Sequence, residues 1–157
     1  MPYTYKDGYR EGVAFIFIKD NMVLVEERPI SGKNYEVFFT SGSIEDKDYS
    51  DSCDYKVRAM FREVSEEFEG KVKIKNYKYL DDLKVKEINV IFYIYLITEW
   101  EGQIPEFTIE NGEKFSKLQW INLNEKEKYL EFDSAFEICR RIENYIFDNK
   151  ENNGSLY

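Results

Sequence analysis

Three carboxylates, Glu63, Glu66 and Glu67, stand at positions i, i+3 and i+4 of one stretch, the spacing that gathers side chains on one face of a helix. Like charges so placed repel by about a few tenths of a kcal/mol per pair. Water alone relieves that repulsion on most acidic helix faces. The chemically productive alternative is a hard divalent cation, because clustered carboxylate oxygens suit Mg²⁺ or Mn²⁺. The chain has no histidine, which removes Ser-His-Asp triads, Cys-His dyads and histidine-bound zinc. Catalysis is left to carboxylates, lysine, tyrosine, serine or a metal.

Charge and cysteine content narrow the partners. The 31 acidic residues outweigh 22 basic ones for a net charge of −9, so a nucleic-acid polymer is repelled. A small nucleotide diphosphate is still admissible, because bound divalent ions reverse the local potential. Cys53 and Cys139 lie far apart and form no CxxC pair, which suggests neither zinc nor a disulfide framework. No basic-then-apolar leader opens the sequence, and no apolar run approaches the ~20 residues of a membrane span. A reduced, cytoplasmic protein without a membrane partner is expected; a homodimer stays open.

The elements that must position the carboxylates can be read in order. Gly12–Glu27 is two apolar runs around Lys19-Asp20-Asn21, a hairpin signal. Arg28–Asn34 reads as a loop and Tyr35–Thr40 as a short aromatic strand leading into Ser41-Gly42-Ser43. Glu45–Asp54 is polar and acidic and is expected as an exposed loop, with a helix capped by Asp51 or Ser52 after it. Val57, Phe61, Val64 and Phe68 form the expected core stripe. Glu63, Glu66 and Glu67 are then predicted on the opposite, solvent side, with Gly70 closing the helix.

Val72–Leu80 alternates as a strand, and Val85–Thr98 is apolar almost throughout, as a strand buried on both faces is. Trp100–Gly112 reads as a long loop, Phe115–Leu123 as a last strand and Phe132–Phe147 as a closing amphipathic helix. The order predicts one α/β domain over residues 1–150, helices covering a mixed sheet, and a disordered tail over 151–157. Tyr35, Phe38 and Phe39 are aromatic candidates for stacking on a base, although aromatic strand residues are commonly core.

Arg62-Glu63-Val64-Ser65-Glu66-Glu67 resembles the REUxEE core of the Nudix box, and Ser41-Gly42-Ser43-Ile44-Glu45 is similar to that family's GGxxE entry loop. The pattern departs in three places. About six extra residues separate Gly42 from Asp54, Asp54 stands where glutamate is usual, and Glu69 occupies the glycine position with Gly70 one residue late. The resemblance spans nearly the whole chain and implies a Nudix-type α/β/α sandwich. By the same resemblance Glu63, Glu66 and Glu67 hold Mg²⁺ or Mn²⁺, the Ser41 carbonyl adds a ligand, and Arg62 orients a carboxylate. The general base is then a helix glutamate such as Glu66 or a later loop residue, Glu110 or Glu113. Arg28 stands where such proteins often contact phosphate, with Tyr35 and Phe39 on the substrate side.

Residues 92–123 are similar to the Trp-Glu-Gly-x-Pro loop and Trp strand of MutT-like nucleoside triphosphate pyrophosphatases. The resemblance thus implies hydrolysis of a (d)NTP or oxidised (d)NTP to monophosphate and pyrophosphate. The alternatives are a nucleotide sugar or other diphosphate as substrate, or a nucleotide-sensing domain without turnover.

Overall fold

The computed structural model describes residues 2–30, 34–51 and 53–154. The strands are β1 (Tyr5–Lys6), β2 (Tyr9–Lys19), β3 (Met22–Pro29), β4 (Tyr35–Phe38), β5 (Ser41–Ser43), β6 (Lys73–Val85), β7 (Val90–Glu101), β8 (Phe107–Glu110) and β9 (Glu113–Asn122). The helices are α1 (Tyr55–Glu67) and α2 (Asp133–Gly154). The sheet runs β6-β7-β2-β3-β9-β8, with β1 and β5 on β2 and β4 on β3. Only β2 and β7 pair in parallel among these strands, so the sheet is mixed.

Alternation along β2 and β7 builds two cores. Val13, Phe15 and Phe17 of β2, with Ile91, Tyr93, Tyr95 and Ile97 of β7, pack under α1. Ala14, Ile16 and Ile18, with Phe92, Ile94 and Leu96, pack under Ala135, Ile138, Cys139 and Ile142 of α2. Strands buried on both faces have no polar side to display, which is why β7 reads as one continuous apolar run. The result is the α/β sandwich expected from the element order.

The site is positioned by a split in the sheet. β2 and β3 pair only at Ile18↔Val23 and Lys19↔Met22, beside the Asp20-Asn21 turn, where Asp20 takes φ +58°. Beyond that point the strands part. β5 takes the edge of β2 at Gly12–Ala14, and β4 takes the edge of β3 at Glu26–Pro29. The β4–β5 segment therefore fills a wedge between the two halves of the sheet.

Several expectations are corrected. The helix is capped by Asp54, which accepts from the Lys56 N–H at 2.9 Å, rather than by Asp51; Ser52 lies outside the described residues. The helix ends at Glu67, and Glu69 itself takes φ +50° ahead of Gly70 at +70°. The 100–112 segment is no long loop: β7 reaches Glu101, and β8 forms a hairpin with β9. Its inward residue is Thr108, 1% exposed, and a polar inward position hides the strand from an apolar pattern. Helix α2 continues to Gly154, while residues 155–157 lie outside the described residues. Among the described residues no helix is long and apolar enough to cross a membrane.

Candidate active site

Helix α1 is rotated from the orientation its apolar stripe suggested. Ala59, Met60, Val64 and Phe68 are buried, whereas Phe61 is 42% exposed and turns sideways onto Tyr77 of β6, ring centroids 5.9 Å apart. This swing carries two of the three carboxylates inward: the side chain of Glu63 is 12% exposed, while that of Glu66 stays 54% exposed. The start of the helix is pinned to β2, because Tyr55 and Tyr93 hydroxyls both donate to Glu11 at 2.5 Å.

Glu63 lies directly over β5. A Cβ on Gly42 would sit 2.1 Å from the Glu63 carboxyl carbon, so only glycine permits this approach. Burial pushes the Glu63 carboxyl up to about 7; Arg62 opposes the shift and the neighbouring charges of Glu66 and Glu45 add to it. Burial likewise raises Glu67 well above the ordinary carboxylate value, and the charges of Glu26 and Glu63 raise it further. Glu67 Oε2 is buried and has no hydrogen-bond partner. Such an atom carries a desolvation cost of about 1–3 kcal/mol or more.

These groups, with Ser41, Gly42, Ser43 and Glu110, line a cavity of about 580 Å³. Among the described residues no three carboxylates converge on one point at ligating distance; Glu63 and Glu66 each turn an oxygen to Arg62 Nη1, at 3.0 and 3.2 Å. The donors are hard oxygens throughout, and the partnerless Glu67 Oε2 is the atom a cation would satisfy. The residues present fit Mg²⁺ or Mn²⁺.

Arg62 is the hub of the carboxylates. Its Nε and Nη2 donate to Asp48 Oδ1 and Oδ2 at 2.8 and 2.9 Å, and Nη2 also donates to the Ser43 carbonyl at 3.0 Å. Burial works against a charge on Asp48, but the bonds from Arg62 and the Glu45 N–H outweigh it and hold the carboxyl below its ordinary value. The Glu45–Asp54 stretch is therefore not simply an exposed loop. Its 3₁₀ turn, Asp46–Asp48, delivers a carboxylate that is 2% exposed to the guanidinium. Sequence reading missed Asp48 because six acidic and polar neighbours disguise it.

A second cavity of about 620 Å³ lies on the α2 side of β5, lined by Arg10, Phe38, Phe92, Phe132 and Ser134 among others. Arg28, Ser41, Gly42 and Ser43 line both cavities, so the two adjoin. Phe38 packs against Phe92 and Phe132 at 5.7 and 6.4 Å. Phe39, by contrast, is wholly buried in the core, and Tyr35 is 63% exposed at the start of β4 and lines neither cavity. Phe39 follows the end of β4 and inserts into the α2-side core, whereas Phe38, packed against the same core, lines the cavity. Glu110 and Glu113 are strand partners across the β8–β9 hairpin, yet only Glu110 lines the carboxylate cavity.

One further residue escaped sequence reading. Glu26, 1% exposed, accepts from Arg28 Nη2 and from Ser116 Oγ, and burial raises its carboxyl despite Arg28 beside it.

No family model and no curated protein matches the sequence. Solved structures do match in three dimensions. A MutT from Aliivibrio salmonicida or Vibrio cholerae is similar with a TM-score of 0.61 at 19% identity, covering 84% of this chain and 94% of that one. A MutT Nudix hydrolase from Burkholderia pseudomallei gives 0.62 at 16% identity, covering 85% and 97%. An ADP compounds hydrolase gives 0.65 at 14% identity, covering 88% and 74%. The chain has the fold of the Nudix hydrolases, MutT proteins among them, and its REUxEE-like helix stands at the cavity floored by Gly42.

Proposed function

We propose that this chain hydrolyses a nucleoside diphosphate linked to another moiety, first a (d)NTP or oxidised (d)NTP, to the monophosphate and pyrophosphate, with Mg²⁺ or Mn²⁺ bound. One observation carries the reading: buried Glu63 and Glu67, the latter with a partnerless oxygen, face a cavity that adjoins a second cavity across Arg28 and Ser41–Ser43. Charge this deeply desolvated opposes folding, which favours a functional rather than a structural role.

Glu63, Glu66, Glu67 and the Ser41 carbonyl would hold the metal, which when bound neutralises phosphoryl charge and acidifies water. Arg62 keeps Glu63 and Glu66 together and is itself fixed by Asp48. Arg28 faces the shared wall and meets the anionic linkage between the cavities. The attacking water gives its proton to a carboxylate, Glu66 on the helix or Glu110 on the hairpin, as the new O–P bond forms and the bridging P–O bond breaks. The second cavity takes the nucleoside, with Phe38 and Phe132 as its aromatic wall. The net charge of −9 supports a small substrate and not a nucleic-acid polymer.

The test is product analysis with purified protein and Mg²⁺ or Mn²⁺. Pyrophosphate release supports the (d)NTP reading; release of two monophosphates from a nucleotide sugar or other diphosphate moves the assignment to that second reading, which the likeness to an ADP compounds hydrolase favours. Glu66→Gln, at a half-exposed position, should fold normally and lose turnover by about a hundredfold or more. Full activity of that variant rejects the role given to Glu66.

A further inference from the structure

Arg28 is held from behind by a carboxylate that reaches neither cavity. Glu26 sits two residues earlier on β3, hence on the same face of the strand, and is 1% exposed. Both its oxygens are committed. Oε1 accepts from Arg28 Nη2, and Oε2 accepts from Ser116 Oγ at 2.9 Å. Ser116 Oγ is in turn 2.6 Å from Thr108 Oγ1, which also accepts from the Ser116 N–H at 3.2 Å. With the Ser116 proton given to Glu26, the Thr108 hydroxyl donates to Ser116. The carboxylate therefore has one orientation, set by β8 and β9.

Arg28 is restrained in the same way. Its backbone pairs with Glu36 of β4, and its guanidinium lies 6.0 Å over the Phe115 ring. Its side chain is 41% exposed, yet Nε is buried without a hydrogen-bond partner. Arg28 lines both cavities, so the part of its side chain that stays exposed lies at the wall they share. A buried carboxylate near Glu67 is a poor choice for stability, since an apolar residue there would avoid the desolvation.

We propose that Glu26 is a positioning residue. By holding Nη2 it fixes the guanidinium of Arg28 at the wall shared by the cavities, where its exposed N–H groups donate to a phosphate oxygen of the substrate's diphosphate. This rests on the function proposed above. Charge-assisted bonds to phosphate depend on the orientation of the guanidinium plane, so loss of the carboxylate costs binding even though Arg28 remains.

The experiment is a double-mutant cycle on Mg²⁺-dependent turnover of deoxynucleoside triphosphates, with calorimetric binding of an α,β-methylene nucleoside triphosphate in parallel. Arg28→Lys keeps the charge and removes the planar guanidinium, and should raise KM roughly tenfold. Glu26→Gln should raise KM by a similar factor with kcat changed less than about threefold, and the double variant should be no worse than either alone. Ser116→Ala, which frees the other oxygen of Glu26, should move KM the same way by a smaller factor and serves if Glu26→Gln folds poorly. A Glu26→Gln protein that melts lower but keeps its KM, or a double variant whose two factors multiply, overturns the proposal and leaves the proposed function standing. A wild-type chain that neither binds nor hydrolyses these compounds overturns both.

Discussion

The two helices cover opposite faces of one sheet, and their buried surfaces differ in kind. On α2 the inward residues Ala135, Ile138, Cys139 and Ile142 are apolar and fully buried. On α1 the inward arc holds Ala59, Met60 and Val64 together with the carboxylates of Glu63 and Glu67. The α2 face gains from burial everywhere, at about 25 cal/mol per Å² of apolar surface. The α1 face gives up part of that gain by desolvating charge. Opposite faces of a sheet thus divide the labour: one secures the fold, the other buries the carboxylates to which the proposed function gives a role.

The largest expected effect separates the faces by stability. Ile142→Ala should cost about 2–5 kcal/mol in urea unfolding, since it leaves a cavity in a wholly apolar layer. A cost under about 0.5 kcal/mol would show that the α2 face is not the stabilising one.

Next comes Glu67→Met, which should act in the opposite sense. Removing a buried carboxylate with a partnerless oxygen should stabilise the chelator-treated protein by about 1–3 kcal/mol, and should abolish any rise in melting temperature on adding Mg²⁺. A destabilised variant would mean that Glu67 is structural.

The pH dependence of the metal-free protein sharpens the contrast. Glu63 is raised from the ordinary 4.5 to about 7 by burial first. A carboxyl raised in the folded state binds its proton more tightly there, so its contribution to stability is complete below about pH 4.5 and is lost as pH rises through about 7. The unfolding free energy in chelator should fall across that window by up to about 3 kcal/mol, and Glu63→Gln should flatten the curve. A midpoint independent of Glu63 would remove the desolvation account.

The smallest effect lies at the end of α1. Glu69 takes φ +50°, a conformation that strains a side-chain-bearing residue and that glycine adopts freely. Glu69→Gly should raise stability by about 0.5–1 kcal/mol, measured by thermal melting, with turnover unchanged.

The elements themselves were largely legible. The β2–β3 hairpin, the doubly buried β7 and the α2 helix announced themselves by turn residues, a continuous apolar run and helical spacing, all of which are local. The REUxEE-like segment and Gly42 were legible as a pattern. Which way α1 would turn was not. Phe61 is apolar and in phase with Val57 and Val64, yet it stays exposed against Tyr77 of β6. Asp48, Glu26 and Ser116 were invisible for a related reason, since a polar residue in a polar stretch shows its burial only once partners arrive from β8, β9 and α1.

Local periodicity and residue type therefore set the order of strands and helices, the absence of histidine chemistry, and the three glutamates within one helical turn. Packing decided the rest: that Glu63 and Glu67 are drawn inward while Glu66 stays half-exposed, that Phe38 rather than Phe39 faces the second cavity, and that Glu110 rather than Glu113 lines the first. Period and composition are properties of neighbours along the chain, whereas desolvation and pairing belong to neighbours in space, and those come into contact only when the split sheet closes on its helices.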